Sequence, residues 1–150
     1  MRVLIQRVKE AAVSIEGTVV GQIPAGLLLL VGFEESDNNA VLEPVATKIS
    51  KLRIFNDQNG VMNLSVNDIG GQMLVVSQFT LYAQTRKGNR PSYIRAAAQT
   101  TAAPLYEQFV SILAKYSAYP VQTGRFGADM QVSLINDGPV TIWIDTKTDD

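Results

Sequence analysis

Leu74-Val75-Val76-Ser77-Gln78-Phe79-Thr80-Leu81 begins as an apolar run and turns polar midway. Val-rich runs suit a pleated, buried strand, so a strand is predicted over Met73–Tyr82. Alternation on such a strand sets Ser77, Phe79 and Leu81 on one face and Gln78 and Thr80 on the other. Two readings stay open for the polar half. It is an amphipathic strand end whose hydroxyls bond neighbouring backbone, or a strand that ends in a pocket and presents N–H groups and a hydroxyl to a carbonyl oxygen.

The flanking sequence reads as mostly strands. Val3-Leu4-Ile5 with Val8 makes a first strand, and Ala12–Ile15 and Thr18–Ile23 flank Glu16-Gly17, a hairpin turn. Pro24-Ala25-Gly26 breaks the chain before Leu27–Phe33, which reads as a strand buried on both faces. Val41, Val45, Ile49 and Leu52 recur at helical spacing, so a helix lies within Ala40–Leu52 with Pro44 in its first turn. Asp57-Gln58-Asn59-Gly60 is a turn, and Val61–Gly71 is irregular. A second helix follows Thr101 as its cap, with Pro104 in its first turn and an apolar stripe from Leu105 to Leu113. Met130, Val132 and Leu134 alternate with polar residues as in a half-buried strand, Val140–Ile144 is the last strand, and Thr146–Asp150 is a tail. Trp143 packs in the core or in an interface. The class is therefore mixed α and β, in a single domain over 1–150.

Composition narrows the chemistry. Hydrophobic residues make up 46% of 150, enough for a core. Charged residues are only 18%, which leaves room for an interface that hides surface. With no cysteine, thiol nucleophiles, disulfides and thiolate metal sites are excluded. With no histidine, a Ser-His-Asp triad and imidazole acid–base catalysis are excluded too, and zinc would have to bind carboxylates alone. No metal or cofactor is expected. Any catalysis falls to hydroxyls, backbone N–H groups, carboxylates, Lys/Arg or the substrate. Polar residues interrupt the first apolar run, so it does not read as a signal peptide, and Leu27–Val31 is too short to span a bilayer. The expectation is a soluble cytoplasmic protein with no membrane partner.

Charge is unevenly placed. From Ile69 to Tyr106 there is no acidic residue, yet Arg86, Lys87, Arg90 and Arg95 fall there, in a chain of net charge −1. This is a solvated loop, or a basic rim beside the Ser77–Thr80 segment that meets nucleic-acid phosphates.

Asn136-Asp137-Gly138-Pro139-Val140-Thr141 is the second unusual segment. By residue type alone it is turn chemistry opening a strand. Together with Ser77-Gln78-Phe79-Thr80-Leu81 it resembles the signature of the D-aminoacyl-tRNA deacylases, which hydrolyse the ester between a D-amino acid and tRNA. Ile5-Gln6-Arg7-Val8, Gly88-Asn89-Arg90-Pro91-Ser92 and Gly124-Arg125-Phe126-Gly127-Ala128-Asp129-Met130 extend the likeness over essentially the whole chain. The resemblance implies a layered β/β/α fold of the α+β class with two main helices, assembled as a homodimer. It implies a cis Gly138-Pro139 that reaches into the active site of the other subunit. It gives Ser77, Gln78 and Thr80 catalytic positions, and Phe79, Ala102, Phe126, Met130, Gly138 and Pro139 substrate-binding ones. Phe126 and Met130 read equally as core. The implied partners are D-aminoacyl-tRNA and, because glycine has no side chain to reject, glycyl-tRNA. A non-catalytic RNA- or nucleotide-binding dimer and a purely structural dimer remain as competing readings.

Overall fold

The computed structural model describes residues 1–148. Eight strands and two helices follow in the order β1 (Arg2–Ile15), β2 (Thr18–Ile23), β3 (Gly26–Gly32), α1 (Leu42–Lys51), β4 (Phe55–Asn56), β5 (Met62–Leu64), β6 (Gln72–Ser77), α2 (Gln99–Lys115), β7 (Gln122–Thr123) and β8 (Gln131–Asp145). Short 3₁₀ turns occupy Asn39–Val41 and Phe79–Tyr82.

The long β1 organises the sheet. It pairs antiparallel with β2 through Glu16-Gly17, with β3 along its first half, and with β8 along most of its length. β3 then pairs parallel with β6, and β6 with β7, so the sheet is mixed. It curls until its ends nearly meet. A Cβ on Gly21 of β2 would lie 2.5 Å from the Thr123 carbonyl oxygen of β7, a contact only glycine permits.

β3 and β6 are buried on both faces, as the continuous apolar run predicts. Leu27, Leu29, Met73 and Val75 face the helices, against Ile49 of α1 and Phe109 and Leu113 of α2. Leu28, Leu74 and Val76 face inward to Val8, Val13 and Ile23 of the curled sheet. Each such side chain removed from water contributes roughly 1.5–3 kcal/mol, so this doubly buried pair anchors everything attached to its ends.

Four expectations are corrected. The strand predicted over Met73–Tyr82 stops at Ser77, and Phe79–Tyr82 turns as a 3₁₀ helix. Packing decides this: Tyr82 is buried, Arg2 lies 4.5 Å over its ring, and Arg2 Nη1 donates to the Leu81 carbonyl oxygen at 2.8 Å. Ser77, Phe79 and Leu81 therefore do not share a strand face. The second helix is capped at Ala98, not Thr101, and Pro104 lies beyond its first turn. The Glu35 carboxylate does the capping, accepting from the Ala98 N–H at 3.1 Å and the Thr101 hydroxyl at 2.7 Å. The Thr101 bond and then the Ala98 bond hold its pKa below the usual glutamate value, which suits an anion at a helix N-terminus. Within the stretch expected to be irregular, Met62–Leu64 forms β5 against β4. The last two predicted strands are one, β8, and Gly138-Pro139 interrupts it rather than opening it. The tail expected over Thr146–Asp150 falls partly on residues 149 and 150, outside the described residues.

Candidate active site

The carboxyl ends of β3 and β6 lie side by side, with Val31 opposite Ser77. Gln78 N–H donates to the Val31 carbonyl oxygen at 2.7 Å, the last bond before the chain turns. Beyond it opens a cavity of about 450 Å³, within the ~300–1,000 Å³ usual for small-molecule sites. Ser77, Gln78 and Phe79 form one wall, Ala102 of α2 another, and Phe126 and Met130 a third. Six residues assigned from the resemblance thus converge. Phe126 and Met130 also pack against the two core clusters, so their two readings are both realised. Behind Phe126 stands Tyr106, ring centroids 5.7 Å apart. Its hydroxyl donates to the Val75 carbonyl oxygen at 2.9 Å, and burial pushes its pKa up to about 12, so it is a neutral strut.

Thr80 is not in the cavity wall. It sits half-buried in the 3₁₀ turn, where its hydroxyl accepts from the Gln78 side-chain amide. The first bond inside the turn runs from Leu81 N–H to the Gln78 carbonyl at 3.2 Å. The N–H groups of Phe79 and Thr80 therefore have no acceptor within the turn, as at any helix start. No acidic or basic side chain is among the residues lining the cavity. Gln99 also stands in the wall, where sequence pattern gives no sign of it, because a polar residue at a helix start carries no signal of its own.

Gly138 and Pro139 lie outside this cavity, on an exposed protrusion, and the peptide bond between them is cis. Val8 pairs with Asn136 and Gln6 with Thr141, so residues 137–140 bulge out opposite Arg7 alone. Val140 N–H donates to Asn136 Oδ1 at 2.8 Å across the base of the bulge. Arg7 holds it from below: Nε donates to the Asp137 carbonyl oxygen at 2.8 Å and Nη1 to that of Ile54 at 2.7 Å. Arg7 belongs to the family-like run Ile5-Gln6-Arg7-Val8, which by itself assigns it no role. Its signal was legible, for it falls on the inward phase of Val3 and Ile5, where an arginine needs a reason.

The basic residues lie to one side. Gln84 and Ser92 bridge the ends of an exposed loop. Arg86 and Lys87 line a separate depression there, and Arg90 is exposed. Arg95 instead pairs with Glu34 at 3.4 Å and faces the Tyr82 ring, so its charge is partly spent within the chain. Trp143 is 40% exposed, which removes the core reading. Among the described residues no helix is long and apolar enough to cross a membrane.

Comparison with known proteins gives this arrangement a context. The profile of a family described as D-Tyr-tRNA(Tyr) deacylase matches residues 4–145. A D-aminoacyl-tRNA deacylase of Flavobacterium psychrophilum is 59% identical over 98% of both chains, and one of Dechloromonas aromatica 56% over 98% of both. A solved structure titled c-Myc DNA Unwinding Element Binding Protein superposes with a TM-score of 0.92 at 37% identity, covering 99% of this chain and 100% of the other. The family profile and the two deacylase relatives define a hydrolase of ester bonds. The chain belongs to the D-Tyr-tRNA(Tyr) deacylase family.

Proposed function

We propose that residues 1–150 act as one deacylase domain that hydrolyses the ester of D-aminoacyl-tRNA in the cytoplasm, releasing D-amino acid and tRNA. The observation that carries this is the cavity at the end of β6, walled by Ser77, Gln78 and Phe79 and lined by no ionisable side chain among the described residues. An activated ester needs little acid–base help. Main-chain N–H groups of the cavity wall, that of Phe79 first among them, polarise its carbonyl, and the 2′-hydroxyl of the terminal adenosine orients or activates water.

Stereochemistry requires more. Enantiomers bury equal area, so discrimination needs a chiral wall around Cα. In a homodimer, Gly138-Pro139 of the second subunit supplies it with main-chain atoms that hold the amino group and occupy the space an L side chain would need, so L-substrates clash. D side chains point away, and glycine has nothing to exclude. Exposure of the bulge and its absence from its own chain's cavity wall support this arrangement. Exposed Trp143 and Ile135 on β8 suit the interface.

The expected result with charged tRNAs is release from D-tyrosyl-tRNA and glycyl-tRNA, with L-tyrosyl-tRNA untouched. Binding without release would favour the competing reading, a nucleic-acid-binding module, to which the printed name of the 37% identical structure lends support.

Thr80 tests the chemistry. Its hydroxyl already accepts from Gln78, and no base stands among the lining residues to activate it as a nucleophile. Thr80→Ala should keep kcat within about tenfold of wild type, the loss being one orienting hydrogen bond. Complete loss of turnover in the folded variant would make Thr80 the nucleophile.

A further inference from the structure

Phe79 has two environments. One edge closes the cavity, yet the residue is 57% exposed. Its ring meets Tyr93, itself 40% exposed, edge to face at 5.1 Å between centroids and 74° between planes. Two large aromatic rings, paired and both exposed, form an apolar surface. It is continuous with the basic loop, because Tyr93 follows Ser92, which lines the depression holding Arg86 and Lys87. Phe79 thus borders the cavity, and its ring partner Tyr93 adjoins in sequence a residue that borders the cations.

We infer that the Phe79–Tyr93 pair is a stacking platform for an unpaired base of the nucleic acid whose 3′-terminal ester occupies the cavity, with Arg86 and Lys87 meeting the phosphates of that strand. The inference rests on the deacylase reading and specifies how its substrate is gripped. Charge selects the occupant. A peptide strand would gain little from cations beside aromatic rings. A single-stranded polyanion with flat bases satisfies both, and stacking tolerates any base, as an enzyme serving many tRNAs requires. Arg95 takes no part, being paired to Glu34.

The test compares two substrates that differ only in the strand preceding the ester. D-tyrosyl-tRNA carries it, and the 3′-O-D-tyrosyl ester of adenosine does not. Tyr93→Ala should lower kcat/KM for the tRNA ester about tenfold, through KM, and leave the adenosine ester unchanged. Tyr93→Phe, which keeps the ring, should restore the tRNA value. Equal losses on both esters, or no loss on either, would overturn the platform. So would dissociation of the wild-type oligomer on Tyr93→Ala, since a second copy of the chain would then cover the pair. If wild-type protein hydrolyses neither ester, the deacylase reading itself has failed, which is a distinct result.

Discussion

Gly138→Ala should lower D-aminoacyl-tRNA hydrolysis by about 100-fold or more while leaving a folded protein, since misplacing a positioning group by about an ångström costs that much. Gly138 has φ +136°, a region that L residues rarely adopt. An added Cβ would lie 2.9 Å from Arg7 Nη2 and 2.9 Å from Val140 Cγ2. Neither neighbour can retreat freely. Arg7 is fixed by bonds to two carbonyl oxygens, and Val140 N–H is held by Asn136. The bulge itself must shift, and its exposed tip moves with little loss of core burial. Stability should fall far less than activity, as circular dichroism and denaturant midpoints would show.

The same variant tests whether the bulge serves its own cavity or a partner's. Ala128 lines the cavity from a loop, so Ala128→Trp should block the site without disturbing the sheet. Each variant alone is expected to be inactive. Mixed and reassembled, a cross-subunit arrangement rebuilds one working site per hybrid dimer, which pairs an open cavity with an intact bulge. Roughly a quarter of the wild-type activity should return for random pairing of a two-fold dimer. No recovery, with hybrids demonstrated, would confine the bulge to its own chain.

What the sequence disclosed and what it concealed divide by distance along the chain. The doubly buried strand Leu27–Val31, the turn at Glu16-Gly17 and the helix around Val45 and Ile49 are written in local pattern, and each is present. The misread segments answer to distant groups. Gln78–Tyr82 looks like a strand, but Arg2, 79 residues from Leu81, fixes its turn. The start of α2 at Gln99 is tied down by Glu35, 66 residues from Thr101, which bonds the Ala98 N–H and the Thr101 hydroxyl. The Gly138-Pro139 bulge depends on Arg7, 130 residues from Asp137. The cavity residues were found through likeness to a family, since an alanine, a phenylalanine and a methionine in a wall look like core to any periodicity argument. Gln99 lies in no family-like run and has no such guide.

Arg7→Met should therefore damage function from a position that never meets substrate. Methionine nearly conserves volume in a residue only 6% exposed, so little cavity is created. The loss is electrostatic. The carbonyl oxygens of Ile54 and Asp137 lose their donor, and Asp137 loses the cation 4.0 Å from its carboxylate. Water reaches Asp137, which is partly exposed, so most of the cost falls on the buried Ile54 carbonyl. A destabilisation of about 3 kcal/mol is expected. Activity should drop further than the unfolded fraction explains, because the bulge loses the Arg7 side chain that bonds it to β1. Arg7→Lys separates the two effects. A single ammonium retains the charge but lacks the planar fork needed to serve both carbonyls. It should recover more stability than activity, and kcat/KM should still fall well below wild type on D-aminoacyl-tRNA. Full activity in Arg7→Met, measured where the variant is folded, would show that the bulge keeps its shape without Arg7, and the positioning argument would fail.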